Sequence, residues 1–254
     1  MNPYRVSRRH FLRACCCCVL AGATSALAVD AELPVLSMEP LAAGVWRHTT
    51  WNRLDDGRLF PSNGLLVLGS AGALLIDTSW RTSEMAPLLA QSRELAGDRP
   101  LRLAVTHAHG DRMSGIEIAR QQGVLSYAYV LSQEDAPRRG LPMADRTWKG
   151  DRTRFDLGST AVEMFYPGPA HTRDNVVAFV EHAGVLFGGC MLRTSGIGNT
   201  EDADLGQWAS STDRVIGEYG SRTLIAVPGH GDPGGPELLE RTRAIAVHAA
   251  GKGR

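Results

Sequence analysis

The run Leu101-Arg102-Leu103-Ala104-Val105-Thr106-His107-Ala108-His109-Gly110-Asp111-Arg112 decides how the rest of the chain is read. Leu101 to Val105 is apolar and of strand length, and it passes directly into a glycine-containing segment with His107, His109 and Asp111 at alternate positions. Alternate positions can converge on one point. Imidazole nitrogen and carboxylate oxygen are donors that zinc accepts at about 2.0–2.2 Å, so the triplet can fill part of one metal site or be shared between two.

The same construction recurs further along. Ala161 to Tyr166 reads as a strand and runs into Pro167-Gly168-Pro169-Ala170-His171; Val185 to Phe187 runs into Gly188-Gly189-Cys190; Leu224 to Val227 runs into Pro228-Gly229-His230-Gly231. Each time an apolar strand ends in glycine or proline and delivers a potential ligand, and loops on a rigid scaffold are where sites are built. Of the eight histidines, His107, His109, His171 and His230 have this setting, whereas His10, His48, His182 and His248 do not. A satisfied structural histidine remains the alternative for each of the four taken singly.

Further strands are expected at Gly44 to Thr49, Gly64 to Leu68, Ala73 to Asp77 and Val176 to Glu181. Helices are expected at Glu84 to Ala96, at Leu205 to Tyr219 and from about Pro236 onward. Hairpin-like strands followed by strands alternating with helices predict an α/β sandwich of layered sheets with helices packed outside. No repeat, low-complexity linker or composition break divides the chain after Leu33, which makes residues 29–254 a single domain. With 27 Lys+Arg against 27 Asp+Glu there is no basic footprint for nucleic acid, so the partners expected are small molecules.

Residues 1–28 differ from the remainder. Ser7-Arg8-Arg9-His10-Phe11-Leu12-Arg13 is a charged start, Ala14 to Ala28 is small and apolar, and Ala26-Leu27-Ala28 suits cleavage, the pattern of a signal peptide. The arginine pair followed by Phe-Leu resembles a twin-arginine export signal. An uncleaved anchor is disfavoured because the apolar run is shorter than the ~20 residues of a spanning helix. The expectation is a periplasmic protein with no stable membrane association after cleavage. Cys15 to Cys18 leave with the signal, so Cys190 is the one cysteine of the mature chain and can form no internal disulfide. A lone thiol in an oxidising compartment is a liability unless buried or bound to metal. A buried inert cysteine and a cysteine nucleophile are the alternatives, the latter disfavoured by the surplus of His and Asp. Asp77, ending a strand, and Arg112, beside a ligand, are candidates for orienting ligands through hydrogen bonds, or for an ordinary structural ion pair.

THAHGDR, GPAHTRDN, GGCMLR and VPGHGD, in this order, resemble the motifs of the zinc β-lactamases, and VWRHTT, PSNGLLVL and LLIDTSW resemble that family's opening strands. The likeness runs from about Leu41 to Pro233. Most hydrolases of the wider fold carry a second histidine directly after the loop aspartate, where this chain has Arg112. Arg112 together with Cys190 is similar to the first subclass of zinc β-lactamases, and unlike the glyoxalase II, lactonase and RNA-processing branches. An intact His107 also departs from the single-zinc subclass.

The resemblance implies an αββα sandwich and two Zn²⁺ per chain, one on His107, His109 and His171, the other on Asp111, Cys190 and His230. It implies hydrolysis of the β-lactam ring of penicillins, cephalosporins and carbapenems by a zinc-bound hydroxide without an acyl-enzyme, and hence antibiotic resistance. Asp111 and Asn199 would act in catalysis, Arg193 and Asn199 would contact substrate, and Thr50 to Pro61, with Trp51 and Phe60, would be a loop closing over it. Arg193 stands where the family often has lysine, and a solvated surface arginine is the alternative; Asn199 lies in a turn-like segment where Asn is common for backbone reasons. The expected partners are a β-lactam and the twin-arginine machinery, with the mature protein a monomer. The rival readings are a di-zinc hydrolase of the same fold acting on a lactone, thioester or sulfate ester, and a non-catalytic periplasmic zinc-binding protein.

Overall fold

A computed structural model describes residues 33–252, so the export signal expected over residues 1–28 lies outside the described residues. In chain order the elements are β1 (Ser37–Ala42), β2 (Val45–Arg53), β3 (Leu59–Leu68), β4 (Ala73–Ile76), α1 (Met85–Ala96), β5 (Leu101–Ala104), α2 (Gly110–Met113), α3 (Ile116–Gln121), β6 (Leu125–Tyr129), α4 (Val130–Asp135) and β7 (Arg146–Trp148). There follow β8 (Arg152–Asp156), β9 (Ala161–Phe165), β10 (Val177–Val180), β11 (Val185–Gly189), α5 (Trp208–Tyr219), β12 (Ile225–Pro228) and α6 (Glu237–Lys252).

The strands form two sheets, ordered β1-β2-β3-β4-β5-β6-β7 and β12-β11-β10-β9-β8. Short turns make β1 to β4 antiparallel, whereas β5, β6 and β7 are each reached through helical connections and lie parallel to the strand before. Side-chain alternation then builds the layers. In β3, Leu65 and Val67 face the second sheet and pack with Val162, Met164, Val180 and Phe187, while Leu66 faces outward onto Leu88, Leu89 and Ile116. The outer face of the second sheet, with Phe165, Phe179 and Leu186, is covered by Trp208, Val215 and Tyr219 of α5 and Leu238 and Leu239 of α6. The result is an αββα sandwich forming one domain. β4, Ala-Leu-Leu-Ile, is buried throughout and therefore shows no alternation. Truncating such a position, as in Leu75→Ala, costs about 2–5 kcal/mol.

Thr50 to Pro61, expected as a loop, is instead mostly a hairpin. β2 and β3 stay in register through Thr50↔Ser62, Trp51↔Pro61, Asn52↔Phe60 and Arg53↔Leu59, leaving only residues 54–58 as a turn, in which Gly57 adopts φ 82°. α5 begins at Trp208 rather than Leu205, because Asp204 draws the Gln207 N–H to its own side chain at 2.9 Å and makes a turn there. β1, β7 and β8 escape sequence patterning: β1 contains Pro40 and lies at a sheet edge, and β7 and β8 are edge strands rich in charge. Among the described residues no helix is long and apolar enough to cross a membrane.

Candidate metal centre

β4 and β5 are parallel, as are β11 and β12, and β9 runs the same way as β11 through the antiparallel β10. The segments leaving these strands therefore gather at one edge of the sandwich. β5 is followed by Thr106, whose N–H and hydroxyl both donate to Asp77, at 2.7 and 2.9 Å, which fixes the backbone just before His107. Among the described residues Asp77 is the non-glycine residue with positive φ, 65°, a conformation that aspartate tolerates better than most. Burial pushes its carboxyl up to about 6, against the pull of Arg112 and Thr106.

His107, His109 and His171 turn their rings edge to face onto a common point. His107 Nε2 lies 3.1 Å and His171 Nε2 3.2 Å from His109 Nδ1. Tetrahedral donors about 2.05 Å from a zinc ion stand roughly 3.3 Å apart, so the spacing matches one ion. The outer ring nitrogens set the tautomers of His107 and His109, while Nδ1 of His171 is buried without a hydrogen-bond partner among the described residues. His109 Nε2–H donates to Asp202 at 2.9 Å, and His107 Nδ1 lies 3.2 Å from the Thr106 hydroxyl, so the lone pairs face inward. Burial holds His107 well below its ordinary value and His171 at about 3, which keeps both neutral and able to ligate at neutral pH.

Asp111, Cys190 and His230 form a second convergent set. Cys190 Sγ lies 3.2 Å from His230 Nε2 and 3.6 Å from an Asp111 oxygen, which is itself 3.2 Å from His230 Nε2. The Nδ1–H of His230 donates to the Pro61 carbonyl at 2.6 Å, turning Nε2 inward. Beneath this set Arg112 is fully buried; it donates to Cys190 Sγ at 3.0 Å and to the Asp77 carboxylate at 3.2 Å, and forms an ion pair with the Asp111 carboxylate at 2.8 Å. Burial opposes its charge, but Asp111, Cys190 and Asp77 hold its pKa above the usual arginine value. Burial likewise opposes the His230 cation, yet Cys190 and Asp111 raise it to about 9. Asp111 is held well below the carboxylate range despite its burial, chiefly by Arg112 and His230. Gly229 makes room for this arginine, since a Cβ there would stand 2.6 Å from Arg112 Nη2.

An N₃ set and an O/S/N set of this spacing, with their donor atoms directed inward, suit zinc, which on binding would displace the proton held by His230. Overlapping groups, His107 with His109 and Asp111, and His107 with His171 and Cys190, connect the two sets into one centre. It forms the floor of a cavity of about 980 Å³, with Phe60, Pro61 and Trp80 on its wall and Phe60 and Trp80 against the His230 ring. Trp51, expected beside Phe60, is not among the lining residues; Trp80 is.

Arg193 lines the cavity with Nε donating to the Gly196 carbonyl at 3.1 Å, and among the described residues it has no carboxylate partner. Burial lowers its pKa. Asn199 is exposed at the rim, and its Oδ1 accepts from the Glu201 N–H at 3.0 Å, leaving the amide nitrogen to donate. Sequence reasoning missed Asp202 and Thr106 behind the histidines. It also missed Asn63, whose amide donates to the Pro228 and Gly231 carbonyls on either side of His230, at 3.0 and 2.7 Å. Only Thr106 had a sequence signal, its place between a strand and a ligand.

Comparison with known proteins gives the same picture from a different direction. The model of the metallo-beta-lactamase superfamily matches residues 57–230. A metallo-beta-lactamase type 2 of Bacillus cereus is 33% identical over 216 residues, covering 83% of this chain and 82% of the relative. Another, of Pseudomonas aeruginosa, is 32% identical over 227 residues and 89% of each chain. Among solved structures, TMB-1 is similar with a TM-score of 0.81 at 33% identity, over 86% of this chain and 100% of that one. FIM-1 of Pseudomonas aeruginosa, in a mono-zinc form, has a TM-score of 0.78 at 32% identity, over 87% and 99% of the two chains. With fold, strand-end donors and relatives in agreement over most of its length, the chain belongs to the metallo-beta-lactamase superfamily.

Proposed function

We propose that the protein hydrolyses the β-lactam ring of penicillins, cephalosporins and carbapenems with two zinc ions per chain and without a covalent acyl-enzyme. The observation that carries this reading is the approach of His107 and His171 to His109 beside the Asp111, Cys190 and His230 group, on the floor of one cavity. His107, His109 and His171 would hold one ion and Asp111, Cys190 and His230 the other. Bound there, zinc supplies Lewis acidity and brings the pKa of a coordinated water to about 7.

The remaining work falls to side chains. Arg193, steadied through Nε by Gly196, presents its other N–H groups to the carboxylate of the substrate, a pairing that guanidinium can make bidentately. Asn199, with Oδ1 already engaged, donates from its amide nitrogen to the oxyanion that develops on the lactam carbonyl. Asp111 offers the carboxylate oxygen not held by Arg112 to the proton leaving the attacking water. A bond forms between water oxygen and carbonyl carbon, the ring C–N bond breaks, and that proton ends on the ring nitrogen. Phe60 and Trp80 give the substrate an apolar wall and limit water on that side. Cys190 is a ligand in this scheme, engaged by Arg112, Asp111 and His230, and not a nucleophile.

The reading extends to the cell: export by the twin-arginine route, removal of residues 1–28, and a monomeric enzyme in the periplasm that confers antibiotic resistance. Expressing the full chain in a β-lactam-sensitive Gram-negative host should raise the inhibitory concentration of a penicillin and a carbapenem, and Cys190→Ser should abolish the effect. Unchanged inhibitory concentrations with soluble, exported protein would remove β-lactams as substrates.

A further inference from the structure

The first histidine set is tied from behind to one short stretch of chain. Asp135, at the end of α4 and 5% exposed, accepts two hydrogen bonds from Arg173, from Nε and Nη2, both at 2.7 Å. Arg173 stands two residues after His171. A single 3₁₀ turn, Pro137–Arg139, continues from α4 and ends on Arg139. Arg139 Nη1 donates to Asp202 Oδ2, the same oxygen that accepts the His109 Nε2–H at 2.9 Å. The His109 imidazole is thus connected through the Asp202–Arg139 pair to residues 135–139, and the Arg173–Asp135 pair ties the backbone just after His171 to the same stretch.

Asp202 needs such support. It lies 93 residues from His109 and belongs to the segment between Gly189 and Trp208, which contains no helix or strand. Its neighbours are held by few backbone bonds, Ala203 N–H to the Thr200 carbonyl and Asp204 N–H to the Ala170 carbonyl. Arg139 pins this segment at Asp202, and the same segment carries Asn199 at the cavity.

We propose that Arg139 is a positioning residue for the three-imidazole site: by clamping Asp202 it fixes the His109 ring and holds the Asn199 segment over the cavity, while Asp135 anchors the backbone that follows His171 through Arg173. This rests on the zinc reading of the site. Losing a partner that orients a ligand typically costs 10–100-fold in metal affinity or activity, and Arg139, one bond further out, should sit at the lower end.

The test compares Arg139→Met and Arg139→Lys with the unmodified protein and with Arg243→Ala, a surface change remote from the site that breaks an ion pair with Asp213. Zinc affinity is measured by competition with a chromophoric chelator. Cobalt(II) substitution adds a site-specific signal, because a thiolate charge-transfer band arises only from the Cys190 site. Arg139→Met should bind its ion at the histidine site about tenfold more weakly, keep the cobalt–thiolate band, lower kcat more than it raises KM, and melt as the unmodified protein does when both are zinc-free. Arg139→Lys should recover part of the affinity, and Arg243→Ala should change nothing. Unaltered affinity in Arg139→Met, or equal weakening of both sites with a lowered melting temperature, would overturn the proposal. Failure of the unmodified protein to bind zinc would overturn the metal reading itself, and this inference with it.

Discussion

Arg112 Nη2 stands 3.0 Å from the sulfur of Cys190, with the guanidinium fully buried beneath the candidate metal centre and shared with Asp77 and Asp111. One cation is thus shared by two carboxylates and the sulfur of Cys190. Removing a partner from a buried ionic cluster strands the remaining charges, at a cost of about 3–5 kcal/mol. Arg112→Ala should therefore lower unfolding stability in urea by an amount of that order and weaken zinc binding at the Cys190 site. A loss below about 1 kcal/mol with unchanged zinc affinity would show that the cluster relaxes around the gap.

Cys190 supplies the sulfur of its donor set, and a serine hydroxyl is a much poorer zinc ligand at neutral pH. Cys190→Ser should retain the histidine-site ion, lose most occupancy of the other, and reduce turnover at least tenfold. Metal analysis beside kinetics checks this, and two retained ions with full activity would remove Cys190 from the centre.

Arg193 is half-buried on the cavity wall without a carboxylate partner among the described residues. A hydrogen bond to a charged group contributes about 1.5–3 kcal/mol, or roughly 10–100-fold in kcat/KM. Arg193→Ala should lose that much, mainly as a raised KM, and Arg193→Lys should recover part of it. An unchanged KM for a carboxylate-bearing β-lactam would make Arg193 a solvated surface residue.

His48 is buried beside Ile76 and Asp77, with Nε2 donating to the Ile76 carbonyl at 3.1 Å, and burial, aided by the charge of Arg112, lowers its pKa from 6.5 to about 4. In the window between these values the unfolded chain binds the proton and the folded chain does not. The associated stability is fully present above about 6.5 and is lost as pH falls to about 4, an effect on the order of 3 kcal/mol. Imidazole resonances followed by NMR should give His48 a midpoint near 4; a midpoint near 6.5 would contradict the burial argument.

What could be read in the sequence follows how local the signal was. His107, His109 and Asp111 share one segment, and His171, Cys190 and His230 each follow an apolar strand into glycine or proline, so all six candidate donors stand out locally, while their division into two sets rests on the family resemblance. Asp202 and Asn63 were not, because their roles arise from contacts 93 and 165 residues away and their own neighbourhoods carry no pattern. The core strands β3, β4 and β11 were legible because burial imposes apolar runs. The edge strands β7 and β8 pair on one side only and carry charge, so periodicity failed there. Thr50 to Pro61 is expected as a loop on the family resemblance alone, and the pairing that makes most of it a hairpin, such as Arg53 with Leu59, leaves no mark in composition.

The most direct test of the central claim is hydrolysis of a chromogenic cephalosporin and of a carbapenem by the purified mature protein, before chelation, after chelation, and after zinc is returned. The account predicts ring opening that chelator abolishes and about two equivalents of zinc restore. A protein that holds two zinc ions and opens neither ring would contradict it.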